Sequence, residues 1–139
     1  MRVFVDSDVV VSSLISSTGA ANFLINHIEI EPVISIHSIT ELQIVVQRIH
    51  VETGKIKLLI KNRFEVIEIT KDVKVLKQSY EKFVTDKNDA LIVTGAHSAN
   101  VSYLISYNLK HFKIEAIKNK LDILVLTPAL FLQFLRSQQ

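Results

Sequence analysis

The sequence predicts an α/β protein, a three-layer α/β/α sandwich around a mostly parallel central sheet. Three observations carry that expectation. Short apolar runs (VFV, PVISI, FEVIEI, VSYLIS and LDILVL) alternate with segments of helical periodicity. Those segments are long enough to cross between parallel strands, which favours right-handed β-α-β connections. Composition agrees, since 48% of the 139 residues are hydrophobic and there are only three Gly and two Pro.

Taken in order, Val3, Phe4 and Val5 form a buried strand, and Ser7 to Ile15 follows as a helix with Val10, Val11, Leu14 and Ile15 inward. A Ser/Thr/Gly break from Ser16 to Gly19 leads into a second helix bearing Ala21, Phe23, Leu24, Ile25 and Ile28. Pro32 opens the second strand. In SITELQIVVQRIHVETG, Ser38 and Glu41 have capping-box spacing, which makes Ser38 the cap and puts Glu41 in the first turn. Ile39, Leu42, Val46 and Ile49 share one face of that helix, and Gly54 is expected to end it. Ile44 and Val45 widen the apolar stripe beyond one core face, as a partner surface would.

A basic stretch from Lys55 to Arg63 leads into FEVIEI, whose alternation reads as a strand near a sheet edge. Val73, Leu76, Tyr80 and Phe83 mark an amphipathic helix. TDKNDALIVTGAHSAN reads as a buried helix begun by acids, VSYLIS as a strand and YNLKHF as a loop or single turn. LDILVLTP is strand into turn, and Pro128 stands at the first position of a closing helix. The expected order is β-α-α-β-α-β-α-α-β-β-α, without repeats or linkers, as one domain over residues 1–139.

Cysteine is absent, which excludes a disulfide framework, a thiolate nucleophile and Cys-ligated zinc or iron-sulfur sites. The opening MRVFVD lacks a signal-peptide pattern and no apolar run is of membrane-spanning length, so the expectation is a cytoplasmic protein with no membrane partner. A net charge of +2 gives little overall attraction for a polyanion, so any nucleic acid must be held by local patches.

In open parallel sheets, ligands collect beyond the carboxyl ends of the strands. Asp6 follows the first strand, Glu41 lies on the helix after the second, Asp89 begins a helix that feeds a strand, and Asn108 follows that strand. Asp86, three residues before Asp89, is expected on the same helical face. These oxygen donors suit Mg²⁺ or Mn²⁺ better than zinc. Each also has a second explanation: Asp6 as a helix cap, Glu41 as half of a capping box, Asp86 and Asp89 as first-turn acids, Asn108 as a turn residue.

RVFVDSDVVVSSL, SITELQIVV, NDALIVTGA and YLISYNLKHF, in this order and spacing, resemble the successive motifs of PIN-domain proteins. The closing ILVLTPALFLQFL is similar to the end of those PIN proteins that act as toxins of toxin-antitoxin systems, VapC-like ribonucleases included. The resemblance implies a PIN-like fold and a Mg²⁺- or Mn²⁺-dependent ribonuclease. Position by position, Asp6, Glu41 and Asp89 match the acidic metal ligands and catalytic residues, Asn108 the fourth metal position, and Ser106 the small hydroxyl residue before it. Asp8 stands where Asn is frequent and takes a supporting role, with Asp86 as an outer acid. Lys87, Lys110, His111 and Lys113 flank the third and fourth motifs and are the RNA-binding candidates. Lys55, Lys57, Lys61 and Arg63 read as a solvated face, and His50 and His97 as surface or packing residues. The implied partners are RNA, an antitoxin protein and a second copy of the chain.

Two other readings compete. One is a catalytically weak or inactive PIN protein that binds RNA or protein, to which Asn108 and the Asp6/Asp8 crowding point. The other, a phosphoacceptor signalling domain, fails because FEVIEI passes to Thr70 and Lys71 where an acceptor Asp is needed.

Overall fold

Five parallel strands form the centre of the molecule, in the spatial order β3-β2-β1-β4-β5. The computed structural model describes residues 1–138. Along the chain run β1 (Arg2–Val5), α1 (Ser7–Ile15), α2 (Ala20–Asn26), β2 (Glu31–Ser35), α3 (Ile36–Arg48), α4 (Thr53–Arg63) and β3 (Glu65–Ile67). There follow α5 (Val73–Tyr80), α6 (Ala90–Ser98), β4 (Tyr103–Ile105), α7 (Ile114–Leu121), β5 (Leu124–Leu126) and α8 (Pro128–Ser137). Single 3₁₀ turns occupy Glu81–Phe83, Lys87–Asp89 and Leu109–His111, the last within the expected YNLKHF turn. No single helix among the described residues is long and apolar enough to cross a membrane.

The two-residue period of β1 decides the layers. Val3 and Val5 join one core with Ile34, Ile105 and side chains of α1, α2, α3, α4 and α8, among them Val9, Leu24, Leu42, Ile56 and Phe131. Phe4 points the other way, into a second core with Val33, Leu104, Val125, Val93 of α6 and Ile117 of α7. Strands covered on both faces read as unbroken apolar runs, which is why PVISI carries no polar alternation. The edge strand β3 alone is largely exposed. On the second face Gly95 lies against Phe4: a Cβ there would stand 2.6 Å from Phe4 Cζ, so α6 sits this close to β1 only because residue 95 lacks one.

Two helices escaped the sequence pattern. The basic stretch is α4, whose Ile56 and Ile60 are buried one turn apart among charges that hide the period. Arg63 is no part of a solvated face, because its Nε and Nη2 both donate to Ile25 O (3.0 and 2.7 Å) and Nη2 also to His27 O (3.2 Å). It thereby satisfies carbonyls at the end of α2. α7 is only eight residues long and buries Ile117 between exposed lysines. Gly54 does not end α3. That helix stops at Arg48, with Ile49 as its cap and His50 in the left-handed region at φ 60, and Gly54 lies inside α4.

Candidate functional site

The carboxyl edge of the sheet is organised by the turn after β1 and the turn after β4. The Asp6 amide donates to Ile105 O at 2.9 Å, carrying the sheet ladder one residue past β1, and the side chain is only 5% exposed. Its Oδ1 accepts from the Ser7 amide at 2.8 Å as the cap of α1, and its Oδ2 accepts from Ser106 Oγ at 2.8 Å. The cap explanation of Asp6 is therefore correct for one oxygen. Ser106 is fully buried, held through its own amide to Leu126 O, and its Oγ accepts from the Asn108 amide at 3.1 Å. One hydroxyl thus ties the end of β1 to the turn after β4.

Asp8 is half-buried. Its Oδ2 accepts from the Tyr107 amide at 3.1 Å, while Oδ1 is buried and has no hydrogen-bond partner among the described residues. A carboxylate oxygen left in this state is costly. Across the edge, Asp89 occupies the N-cap position of α6 without a side-chain cap bond, and its Oδ2 stands 3.2 Å from His111 Nδ1. Glu41 stands on α3 with Oε1 3.3 Å from Nε2 of His37, one turn before it.

Electrostatics show how crowded these acids are. Burial and then the Asp8 charge push the Asp6 carboxyl from its ordinary 3.8 up to about 7, against the lowering pull of the Ser106 and Ser7 hydrogen bonds. Asp8 is raised as well, chiefly by burial. Asp89 is raised by burial, with Asp86 and Glu41 adding repulsion and His111 opposing it. The charges of Asp8 and Asp89 both reach Asp6, and that of Glu41 reaches Asp89, so the four acids share one electrostatic neighbourhood. Among the described residues no Lys or Arg pairs with any of them.

Several positions differ from expectation. Ser38 is not the cap of α3; Ser35 is, accepting from the Ser38 amide at 3.1 Å. The helix starts three residues earlier than the capping box requires, so Glu41 lies in its second turn and no capping role accounts for it. Asp86 is not on the helical face of Asp89; it is extended and caps the 3₁₀ turn through the Asn88 amide at 3.0 Å. Asn108 is exposed, and among the described residues its side chain makes no hydrogen bond. Lys87 lies 3.9 Å from Glu81, whereas Lys110 and His111 border a hollow of about 290 Å³ with Tyr107, Asn108 and Leu109. His97 is held by Tyr80, whose hydroxyl lies 2.7 Å from its Nδ1. The role of His37 went unread, although its four-residue spacing before Glu41 is visible in the sequence.

The donor set suits a hard divalent cation: all oxygen, carboxylates raised by burial and, at Asp6 and Asp89, by neighbouring acids, and one buried oxygen without a partner among the described residues. Among the described residues no three His, Cys, Asp or Glu side chains surround a single point at coordinating distance. Asp89 and Glu41 are engaged by His111 and His37 instead. They feel the other acids without converging on one point.

An acid-lined carboxyl edge on a wholly parallel five-stranded sheet defines a class of α/β/α sandwich domains with the candidate site beyond the strand ends. Within that class the family model of the PIN domain matches residues 2–110, and the chain belongs to the PIN domain family. No curated protein matches the sequence. In fold, the chain is similar to one in the crystal structure of VapBC2 from Rickettsia felis bound to a DNA fragment from their promoter. The TM-score is 0.62 at 16% identity, covering 91% of this chain and 98% of that one.

Proposed function

We propose that this chain is a Mg²⁺- or Mn²⁺-dependent endoribonuclease acting as the toxin of a toxin-antitoxin pair. One observation carries the reading. Asp6 and Asp8 are held side by side at the sheet edge by neutral donors alone, with Asp8 Oδ1 unpartnered and no cationic side chain to offset them. A fold that only needed a helix cap would not add a second, half-buried carboxylate with one unpartnered buried oxygen.

Asp6, Glu41 and Asp89 would hold the cation, with the Asn108 amide as a neutral fourth donor. A bound Mg²⁺ or Mn²⁺ supplies charge neutralisation at the scissile phosphate and lowers the pKa of the attacking water. The protein's own residues do the rest. Ser106 fixes the Asp6 carboxylate, and Asp8 braces the turn that presents Asn108. Asp6 or Asp89 takes the proton of the attacking water. Lys110, His111 and Lys113 bind phosphates beside the acids, Lys87 contributes after leaving Glu81, and Asp86 keeps the local field negative.

The exposed Ile44, Val45 and Ile49 of α3, with Leu58 of α4, supply an apolar surface for an antitoxin or for a second copy of the chain. The chain works as one domain in the cytoplasm. A second reading, a catalytically weak PIN protein that binds RNA or protein, draws on the engagement of Asp89 and Glu41 by histidines.

Calorimetric titration of Mn²⁺ into wild type and Asp6→Asn, alongside cleavage of single-stranded RNA, separates the two. We expect saturable binding lost in Asp6→Asn, and cleavage that stops in chelator and falls at least roughly a hundredfold in Asp6→Asn or Asp89→Asn. Cleavage that survives chelator and both substitutions would remove this site from the chemistry, and absence of Mn²⁺ binding at millimolar metal would leave the weak-PIN reading.

A further inference from the structure

Beside the acids lies a hollow of about 240 Å³, beyond the carboxyl ends of β2 and β3. Its apolar lining is Ile36, Ile69, Val73 and Leu91, with Leu91 buried and Ile36 and Val73 half-exposed. Its polar lining is His37, Thr40 and Glu68. It adjoins the acids through His37, which lines the hollow and reaches Glu41 at 3.3 Å.

We propose that this hollow reads a guanine base of the RNA strand next to the scissile phosphate. The inference rests on the nuclease reading and names its sequence preference. A phosphate does not suit the hollow, because no Lys or Arg lines it and Glu68 would repel an anion. An aliphatic lining beside an imidazole suits the weakly hydrated face of a base splayed from a single strand.

The polar lining then selects among bases. Glu68 is an acceptor only, and the Thr40 hydroxyl already donates to Ile36 O at 3.2 Å, so toward a further group it can only accept. The occupant must therefore bring donors. Guanine offers N1–H and N2–H₂ side by side, matching one carboxylate with two parallel hydrogen bonds. Cytosine and adenine offer one amino group each. Uracil sets two carbonyls around its single N–H, which a carboxylate repels.

The test is an amide NMR titration of the full chain with the RNA pentamers UUGUU and UUUUU in chelator, so that neither is cut. Saturation at Thr40, Glu68, Val73 and Leu91 should need roughly five- to tenfold less UUGUU than UUUUU, the low end of what one matched base contact gives. In Glu68→Gln that ratio should fall to about one, with the amide spectrum otherwise retained because Glu68 is exposed. Equal responses to both RNAs, shifts confined to residues 107–113, no response to either RNA, or an unchanged ratio in Glu68→Gln would each overturn the proposal. Failure of the nuclease reading shows separately. Loss of Mn²⁺ binding with base-dependent shifts intact sinks the nuclease and keeps the pocket, whereas metal binding and cleavage without those shifts sink the pocket alone.

Discussion

Asp6→Asn should make the metal-free protein more stable at pH 8, the reverse of what deleting a buried, hydrogen-bonded side chain ordinarily does. In the unfolded chain this carboxyl keeps its proton only below its ordinary 3.8, whereas in the fold it keeps it up to about 7. Between those values the folded state binds more protons than the unfolded state, so stability falls as pH rises through the window. The rise from 3.8 to about 7 corresponds to at most about 4 kcal/mol. Asp8 shares the repulsion and part of the relief, while Asn keeps an acceptor for the Ser7 amide. A gain of about 1–3 kcal/mol at pH 8 is the expectation, once that ceiling is reduced for shared relief and imperfect hydrogen bonding of the amide. Urea unfolding in chelator at pH 8, 6 and 4 measures it. The gain should shrink as pH falls and vanish near pH 4, where wild type also carries the proton. In Mn²⁺ the order should invert, because only wild type gains from binding. A variant less stable than wild type at pH 8 in chelator, or a gain equal at pH 8 and pH 4, would refute the reasoning.

Other substitutions probe the scaffold around the acids. Ser106→Ala removes the hydroxyl that serves both Asp6 and the Asn108 amide, and should cost about 1–3 kcal/mol while moving the Asp6 titration higher; an unmoved carboxyl signal by NMR would contradict the hydrogen bond. Gly95→Ala drives a methyl into the fully buried Phe4 ring and should cost about 1–3 kcal/mol or more, read as a lower Tm, with Phe4→Leu in the same chain recovering part of the loss. Arg63→Ala should cost about 2 kcal/mol and raise hydrogen exchange at the end of α2, and Arg63→Lys should restore only a minority of it, because one ammonium cannot reproduce the fork on the Ile25 carbonyl.

What was legible in the sequence follows from which signals are local. Val3 to Val5, PVISI and the acid-led α6 were readable because burial on both faces writes itself as contiguous apolar residues. α4 and α7 were not, since each buries one stripe beneath lysines and the helical period is thin. The acids could be picked out from strand-end placement alone, yet their partners could not. Ser35 displaced Ser38 as cap because the helix follows β2 without an intervening loop, a tertiary fact that no spacing records. The pairing of Asp6 with Ser106 spans a hundred positions and depends on β4 lying beside β1.

The same asymmetry explains why the site has its present form. Every donor that fixes the acids after β1 is a neutral amide or hydroxyl: Ser7, Tyr107 and Ser106. Neutral donors orient a carboxylate without neutralising it, so the mutual repulsion of Asp6, Asp8 and Asp89 persists in the folded state. The imidazoles that touch the remaining acids sit on a surface turn and on an exposed helix face, where water screens them and side-chain rotation is easy. An arginine in their place would hold the acids permanently and close the site to any other cation. Aliphatic cores on both faces of the sheet carry the stability that this edge subtracts, with each fully buried Leu or Ile contributing roughly 1.5–3 kcal/mol. The edge is therefore kept short of positive charge by a scaffold stable enough to tolerate it, and that deficit is the property an external divalent cation would complete.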